Sequence, residues 1–286
     1  MKITVKYILE KKAAREKITM LTAYDYPLAA LIDEAGIDMI LVGDSLANVI
    51  LGLESTTQVG MMEMLHHAKA VSRAVKSALI VGDMPFESYQ LNPKDALKNA
   101  RRFIEEAKCD AVKLEWFDEC LEVTRQIIGS GIAVMGHIGL TPQTADRLEG
   151  FKVQGKDAQT AKRLFEQARA LEKTGVFAIV LECIPDRIAE IITACLKIPT
   201  IGIGSGIACD GQVLVTYDML GLFSRFRPRF VKRYLDLSAL IAKAVREYKD
   251  EVSSLGFPTP AHSFSIKDEE FDKIKKNFLS DEKDGH

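Results

Sequence analysis

No apolar run in the sequence reaches the eighteen or more uninterrupted residues of a membrane-spanning helix, so a helical membrane protein is not the reading. The first residues, MKITVKYILEKKAAREK, carry Lys and Glu among their apolar positions and lack the uncharged core of a secretory signal; the cytoplasm is the expected location. Charge of one sign is missing too. Lys and Arg number 38 against 40 Asp and Glu, a formal net charge of -2, which offers nucleic acid or an anionic bilayer no broad basic footprint. Small-molecule substrates are the expected partners, with no nucleic acid and no membrane. Cysteine is scarce: Cys109, Cys120, Cys183, Cys195 and Cys209 form no Cys-x-x-Cys pair, and reduced thiols are expected instead of a disulfide framework or a zinc site. Glycine is absent from the first strand-to-helix turn, AYDYP, where a doubly wound dinucleotide-binding sheet carries its fingerprint.

What the chain has is a regular alternation. Apolar β-like runs (KITMLTAYD, DMILVGDS, ALIVGDMPF, AVKLEW, IAVMGHIG, FAIVLEC, PTIGIGSG) are separated by helical or loop segments, with helices expected near 26–36, 60–77 and 93–107. An eighth strand is expected around RFVKRY, residues 229–234, followed by a helix over 235–253. Near-continuous aliphatic strands separated by helices indicate a parallel sheet, because parallel strands need crossover connections. At 286 residues and 47% hydrophobic side chains, the chain suits one barrel of roughly 250 residues plus a tail. The expected architecture is therefore α/β, a (β/α)8 TIM barrel. A single catalytic domain spans 1–264, opened by a short N-terminal helix within 1–16 that lies over one barrel end. A charged, flexible tail follows at 265–286; the last twenty residues hold twelve charged side chains and are expected to fray. The long, partly apolar loop from Ala47 to Val59 is a candidate cover for a site.

The stretch Ala111-Val-Lys-Leu-Glu115 organises the functional reading. Alternation along a strand puts Lys113 and Glu115 on one face and Val112 and Leu114 on the other, and enclosed charges must be paired or used. A structural ion pair and a site explain these five residues equally well. The tie is broken elsewhere: strand after strand ends in a polar residue, Asp44, Asp83, Glu115, His137 and Glu182. In a β/α barrel those ends share the face where active sites are built. Asp44, Asp83 and Glu115 lie on consecutive strands and can ring one point, and hard oxygen donors select Mg²⁺ or a similar ion over zinc. Lys113 offsets part of their mutual repulsion. Gly202, Gly204 and Gly206 read as a tight turn, His66 and His67 as surface or packing residues, and Trp116 and Phe117 as packing more than lining.

Longer stretches then carry a resemblance: TAYDYP at 22–27, VGDSL at 42–46, DMPFESY at 83–89, VKLE at 112–115, VMGHIGLTPQ at 134–143, VQG at 153–155, VLE at 180–182, IPTIGIGSG at 198–206, CDGQVLV at 209–215, DMLGL at 218–222 and HSF at 262–264. In this order they resemble the ketopantoate (3-methyl-2-oxobutanoate) hydroxymethyltransferase family. Departures from its pattern are Ala47-Asn48 after GDSL, Trp116-Phe117 in place of two glycines after KLE, and IGSG in place of IGAG; none removes a charged group. The resemblance implies a (β/α)8 enzyme that transfers a hydroxymethyl unit from 5,10-methylenetetrahydrofolate to 3-methyl-2-oxobutanoate in pantothenate biosynthesis. It implies one Mg²⁺ per subunit, held by Asp44, Asp83 and Glu115 directly or through water. Asp44, Ser45, Asp83 and Lys113 would bind the oxo acid, and Glu182 would be the general base. His137 would be accessory, orienting either Glu182 or the folate. A homo-oligomer, a decamer built from five dimers, is implied as well. The nearest rival is a metal-dependent lyase of the phosphoenolpyruvate mutase and isocitrate lyase type, whose cysteine-bearing lid motif, KKCGH or alike, is not found. From another class, a catalytically dead barrel serving as sensor or scaffold is opposed by the intact set Asp44, Asp83, Lys113, Glu115 and Glu182.

Overall fold

Eight short runs rich in aliphatic residues form the strands: β1 Ile18–Thr22, β2 Met39–Val42, β3 Leu79–Asp83, β4 Ala111–Glu115, β5 Ala133–Gly139, β6 Ala178–Glu182, β7 Thr200–Ile203 and β8 Gly211–Leu214. The computed structural model describes residues 2–144, 153–223, 225 and 228–280. All neighbouring strands pair in parallel, in chain order, and β8 returns to β1 to close the barrel. This is the expected (β/α)8 architecture.

One strand is misplaced in the sequence reading. The eighth is Gly211–Leu214, not RFVKRY, where Arg229 and Phe230 form a turn. Gly211 explains why the true strand hides. A Cβ there would come within 2.5 Å of the Ile18 carbonyl oxygen, so only glycine lets β8 close against β1, and glycine lowers the β signal of a four-residue run. The aromatic of the decoy stretch does other work, since Phe230 packs where a Cβ on Gly204 would sit.

Strand alternation divides the core in two. Met20, Leu41, Val81, Ala111, Met135, Val180 and Val213 fill the barrel interior. Val112, Leu114, Ile179 and Leu181 face outward into a second cluster with the helices. Those helices include α2 Tyr26–Glu34, α4 Met61–Ala74, α5 Ala96–Glu105, α6 Cys120–Gly129, α7 Ala158–Thr174 and α8 Asp186–Cys195, together with short α3 Leu46–Val49. Strand residues in register with Ala111 and Val180, hence Lys113, Glu115 and Glu182, point inward at the C-terminal end.

The N-terminal helix α1, Val5–Ala14, closes the opposite end. Its Ile8 is fully buried in the interior cluster. Lys11 and Lys12 pair at 2.8 and 2.7 Å with Asp38 and Asp210, which immediately precede β2 and β8. Plugging the bottom leaves the top for chemistry.

Chain contacts divide the protein into Met1–Leu235 and Asp236–His286. The first unit ends beyond a short helix, α9 Thr216–Met219, and the second holds α10 Leu237–Ser253 and α11 Asp268–Ser280. The tail therefore departs from the expectation of a frayed chain over most of its length, while residues 281–286 lie outside the described residues. Phe271, Ile274 and Phe278 fall at helical spacing, and Asp268, Glu269 and Glu270 sit in the first turn where they complement the helix dipole. Counting charges missed that periodicity.

Candidate active site

Register builds the site. β3 places Asp83 beside Lys113 of β4, and β4 places Glu115 beside His137 of β5. Lys113 Nζ donates to Asp83 Oδ1 at 2.6 Å, with the two side chains only 4% and 2% exposed. Asp83 Oδ2 accepts from the Asp44 backbone N–H at 3.2 Å, just past β2. Burial raises the Asp83 carboxyl to about 7, and the negative charges of Asp44 and Glu115 add to the rise while Lys113 opposes it. Burial works against a charged Lys113, but Asp83, Glu115 and Asp44 outweigh it and hold the ammonium protonated. One cation thus serves three carboxylates.

His137 stands between two acids. Its Nδ1 lies 3.4 Å from Glu115 Oε1 and its Nε2 3.2 Å from Glu182 Oε2. Burial and Lys113 disfavour the imidazolium, yet the two carboxylates overcome them and lift its pKa to about 9. Burial likewise pushes Glu115 above the ordinary carboxylate range, against His137 and Lys113. Glu115 Oε1 and both His137 nitrogens are buried and have no hydrogen-bond partner among the described residues, so these contacts are charge contacts. Glu182, at the end of β6, is the member that reaches toward solvent, its side chain 17% exposed.

Three neighbours that sequence reasoning gave no role complete the site. Buried Gln143, on the loop after β5, donates its Nε2 to Asp44 Oδ2 at 2.8 Å and its backbone N–H to Glu115 Oε2 at 3.0 Å. The Tyr89 hydroxyl donates to Gln143 Oε1 at 2.7 Å and accepts from the Glu115 backbone N–H at 3.0 Å. Tyr24 shares a 2.8 Å hydrogen bond with Ser45, at the start of α3. A glutamine in a loop reads as solvated and a tyrosine beside a strand as packing; nothing in their spacing distinguishes them.

The structure therefore brings Asp44, Ser45, Asp83, Lys113, Glu115, His137 and Glu182 to one end of the barrel. It does not close Asp44, Asp83 and Glu115 around one point: among the described residues, no three His, Cys, Asp or Glu side chains are disposed to hold one ion. Glu115 is turned toward Gln143 and His137, leaving Asp44 and Asp83 as the adjacent pair. Two hard carboxylates with an excess of negative charge still suit Mg²⁺, which takes one or two carboxylates and keeps water or substrate oxygens for the rest.

The secondary signals also resolve. Phe117 packs edge-on against Tyr89 at 5.4 Å, whereas Trp116 borders a cavity of about 260 Å³ with Gly139, Gln154 and Arg163. Gly204 and Gly206 have φ of 66° and 82°, as a tight turn requires. His67 Nδ1 contacts the Tyr24 carbonyl at 2.7 Å, a packing role. The Ala47–Val59 segment is folded, with Ala47 and Val59 buried and a 3-10 turn at Thr56–Gln58.

The sequence pattern of the ketopantoate hydroxymethyltransferase family matches residues 2–260. A 3-methyl-2-oxobutanoate hydroxymethyltransferase from Syntrophomonas wolfei is 54% identical over 96% of this chain and 99% of its own. One from Carboxydothermus hydrogenoformans is 53% identical with the same coverage. Among solved structures, phosphoenolpyruvate phosphomutase from Streptomyces platensis superposes with a TM-score of 0.60 at 15% identity, over 96% of this chain and 99% of its own. Oxaloacetate acetylhydrolase gives 0.58 at 13% identity, over 99% of each chain. At such identity these structures share the fold alone, while the two sequence relatives share half of all residues.

Proposed function

The chain belongs to the ketopantoate hydroxymethyltransferase family and is an enzyme that transfers a hydroxymethyl group; from that premise we propose that it carries 5,10-methylenetetrahydrofolate's one-carbon unit to 3-methyl-2-oxobutanoate. The products are 2-dehydropantoate and tetrahydrofolate, in pantothenate biosynthesis in the cytoplasm. The observation that carries the reading is a fixed cation, Lys113, among buried carboxylates, with a partly open carboxylate, Glu182, one histidine away.

Each residue has a task. Lys113, held by Asp83, presents positive charge to the oxo acid's oxygens, and Ser45, held by Tyr24, offers a hydroxyl at the same end of the barrel. Glu182 removes the C3 proton. His137 engages Glu182 Oε2 and leaves Oε1 to take that proton, so histidine orients the base from behind. Water adds to the folate-borne methylene carbon, both C–N bonds break to release tetrahydrofolate and formaldehyde, and the carbon nucleophile adds to the formaldehyde carbon, whose oxygen takes up a proton and becomes the hydroxyl. Asp44 and Asp83 would hold Mg²⁺, with Glu115, whose Oε1 has no hydrogen-bond partner among the described residues, joining through water. Bound there, the ion supplies Lewis acidity toward the oxo acid's oxygens and raises C3 acidity. The family resemblance extends the proposal to a homo-oligomer, a decamer of five dimers.

The test is C3–H exchange of 3-methyl-2-oxobutanoate in D₂O with Mg²⁺ and without folate, followed by product formation when 5,10-methylenetetrahydrofolate is added. Exchange without the second step would indicate a lyase-like enolising enzyme. Absence of both would leave a scaffold barrel.

A further inference from the structure

Gln143 is 4% exposed, and its side-chain amide is fully used. Nε2 donates to Asp44 Oδ2 at 2.8 Å and to the Met84 carbonyl at 3.1 Å. Oε1 accepts from the Tyr89 hydroxyl at 2.7 Å and from Gln90 Nε2 at 3.1 Å. The orientation is over-determined. A carboxylate and a carbonyl can only accept, so the NH₂ must face them, and the Tyr89 oxygen, already accepting from Glu115 N–H, turns its proton to Oε1. Rotating the amide would break all four bonds at once.

An amide serving only to anchor its loop would need nothing beyond backbone partners such as Met84. Here its contacts reach Asp44, after β2, through the side chain, and Glu115, at the end of β4, through the backbone N–H. Those two strands are not neighbours, since β3 lies between them. One residue therefore sets the separation of two acids that the sheet itself does not tie together. It does so without charge: a lysine in this place would neutralise the acids and compete with a cation, while an amide donates hydrogen bonds and leaves the negative field intact.

We propose that Gln143, locked by Tyr89, is a positioning residue that fixes Asp44 and Glu115 relative to each other for a divalent cation, an inference that rests on the functional reading above. Two variants test it. Gln143→Met keeps length and the backbone donor to Glu115 but removes the link to Asp44; Tyr89→Phe deletes the hydroxyl that locks the amide and that also accepts from the Glu115 backbone N–H. Mn²⁺ binding to the unliganded protein is followed by electron paramagnetic resonance, and Mg²⁺ binding in the presence of 3-methyl-2-oxobutanoate by calorimetry. Near-ultraviolet dichroism and Tm are recorded alongside.

Gln143→Met is expected to weaken cation affinity roughly 10- to 100-fold, the usual range for an outer-shell partner of a metal ligand, and Tyr89→Phe to weaken it in the same direction by less. At saturating Mg²⁺ the C3 exchange rate should recover to within a few-fold of wild type, a split that loss of structure would not produce. Cation affinity within twofold of wild type in both variants overturns the proposal while leaving the functional reading intact. A wild-type protein that binds neither ion overturns both. If Gln143→Met does not fold, Tyr89→Phe decides: unchanged cation affinity after loss of the hydroxyl that holds both Gln143 Oε1 and the Glu115 backbone N–H overturns the proposal, and weakened affinity with an unchanged dichroism spectrum supports it.

Discussion

Replacing Glu182 with Gln is the most searching perturbation of the proposed chemistry. Its side chain is 17% exposed and, among the described residues, makes its charge contact with His137, at 3.2 Å, so the substitution neither opens a cavity nor strands a deeply buried partner. The glutamine amide still fills the space beside His137 Nε2, and Glu115 continues to face the other nitrogen at 3.4 Å, so the imidazole keeps one carboxylate. Lys113–Asp83 and Gln143–Asp44 lie on other strands and are untouched. Binding of Mg²⁺ and oxo acid should therefore persist within a few-fold. What disappears is the proton acceptor. A positioned base is worth roughly 10²- to 10⁴-fold, or about 2.7 to 5.4 kcal/mol of barrel-mouth catalysis at 1.36 kcal/mol per decade. The assay is loss of the C3–H proton resonance of 3-methyl-2-oxobutanoate in D₂O with Mg²⁺, with calorimetric titration of the oxo acid in parallel. Exchange near the wild-type rate with collapsed binding would refute the assignment. Glu182 would then be a ligand or a structural residue, and His137 the first candidate for the base.

Lys113→Met, nearly isosteric and uncharged, should cost roughly 2 to 4 kcal/mol of transition-state stabilisation, about a 30- to 1,000-fold loss in kcat/KM; unchanged efficiency would assign Lys113 to structure. Asp44→Ala and Asp83→Ala should each lower Mg²⁺ and oxo-acid affinity together, and oxo-acid binding that survives chelator treatment unchanged contradicts the shared site. Asp83→Ala should also lower Tm more, because it strands the buried Lys113, at about 3 to 5 kcal/mol for a broken buried pair. Asp218, in α9, has its carboxyl raised to about 6 by burial, with Arg233 opposing. The folded protein thus binds its proton more tightly than the unfolded chain, whose carboxyl titrates near 3.9, and this group's contribution to stability falls as pH rises from about 4 through about 6. Asp218→Asn should gain Tm relative to wild type across that window and hold the gain above it; a difference in Tm that does not vary with pH removes Asp218 as the cause.

The parts of this protein legible in its sequence are those where one residue's chemistry and its strand position coincide. Lys113 and Glu115 declared themselves because two charges at period two in an aliphatic run have only one physical outcome in a closed barrel, inward and in need of partners. Asp83, His137 and Glu182 followed because strand ends meet at one face whatever the helices do. Pairing was the part that stayed hidden. Register decides that Lys113 answers Asp83 and that His137 takes Glu115, and register depends on the whole barrel. The same dependence concealed Gln143 and Tyr89, whose polarity matters only because the fold excludes water around them. It also concealed β8, where the need to close against Ile18 selects the residue with the weakest strand signal. The orientation of the three acids stayed hidden for a related reason: adjacency in the sheet puts them near each other, but the Gln143 backbone N–H and His137 decide how the Glu115 carboxylate is turned.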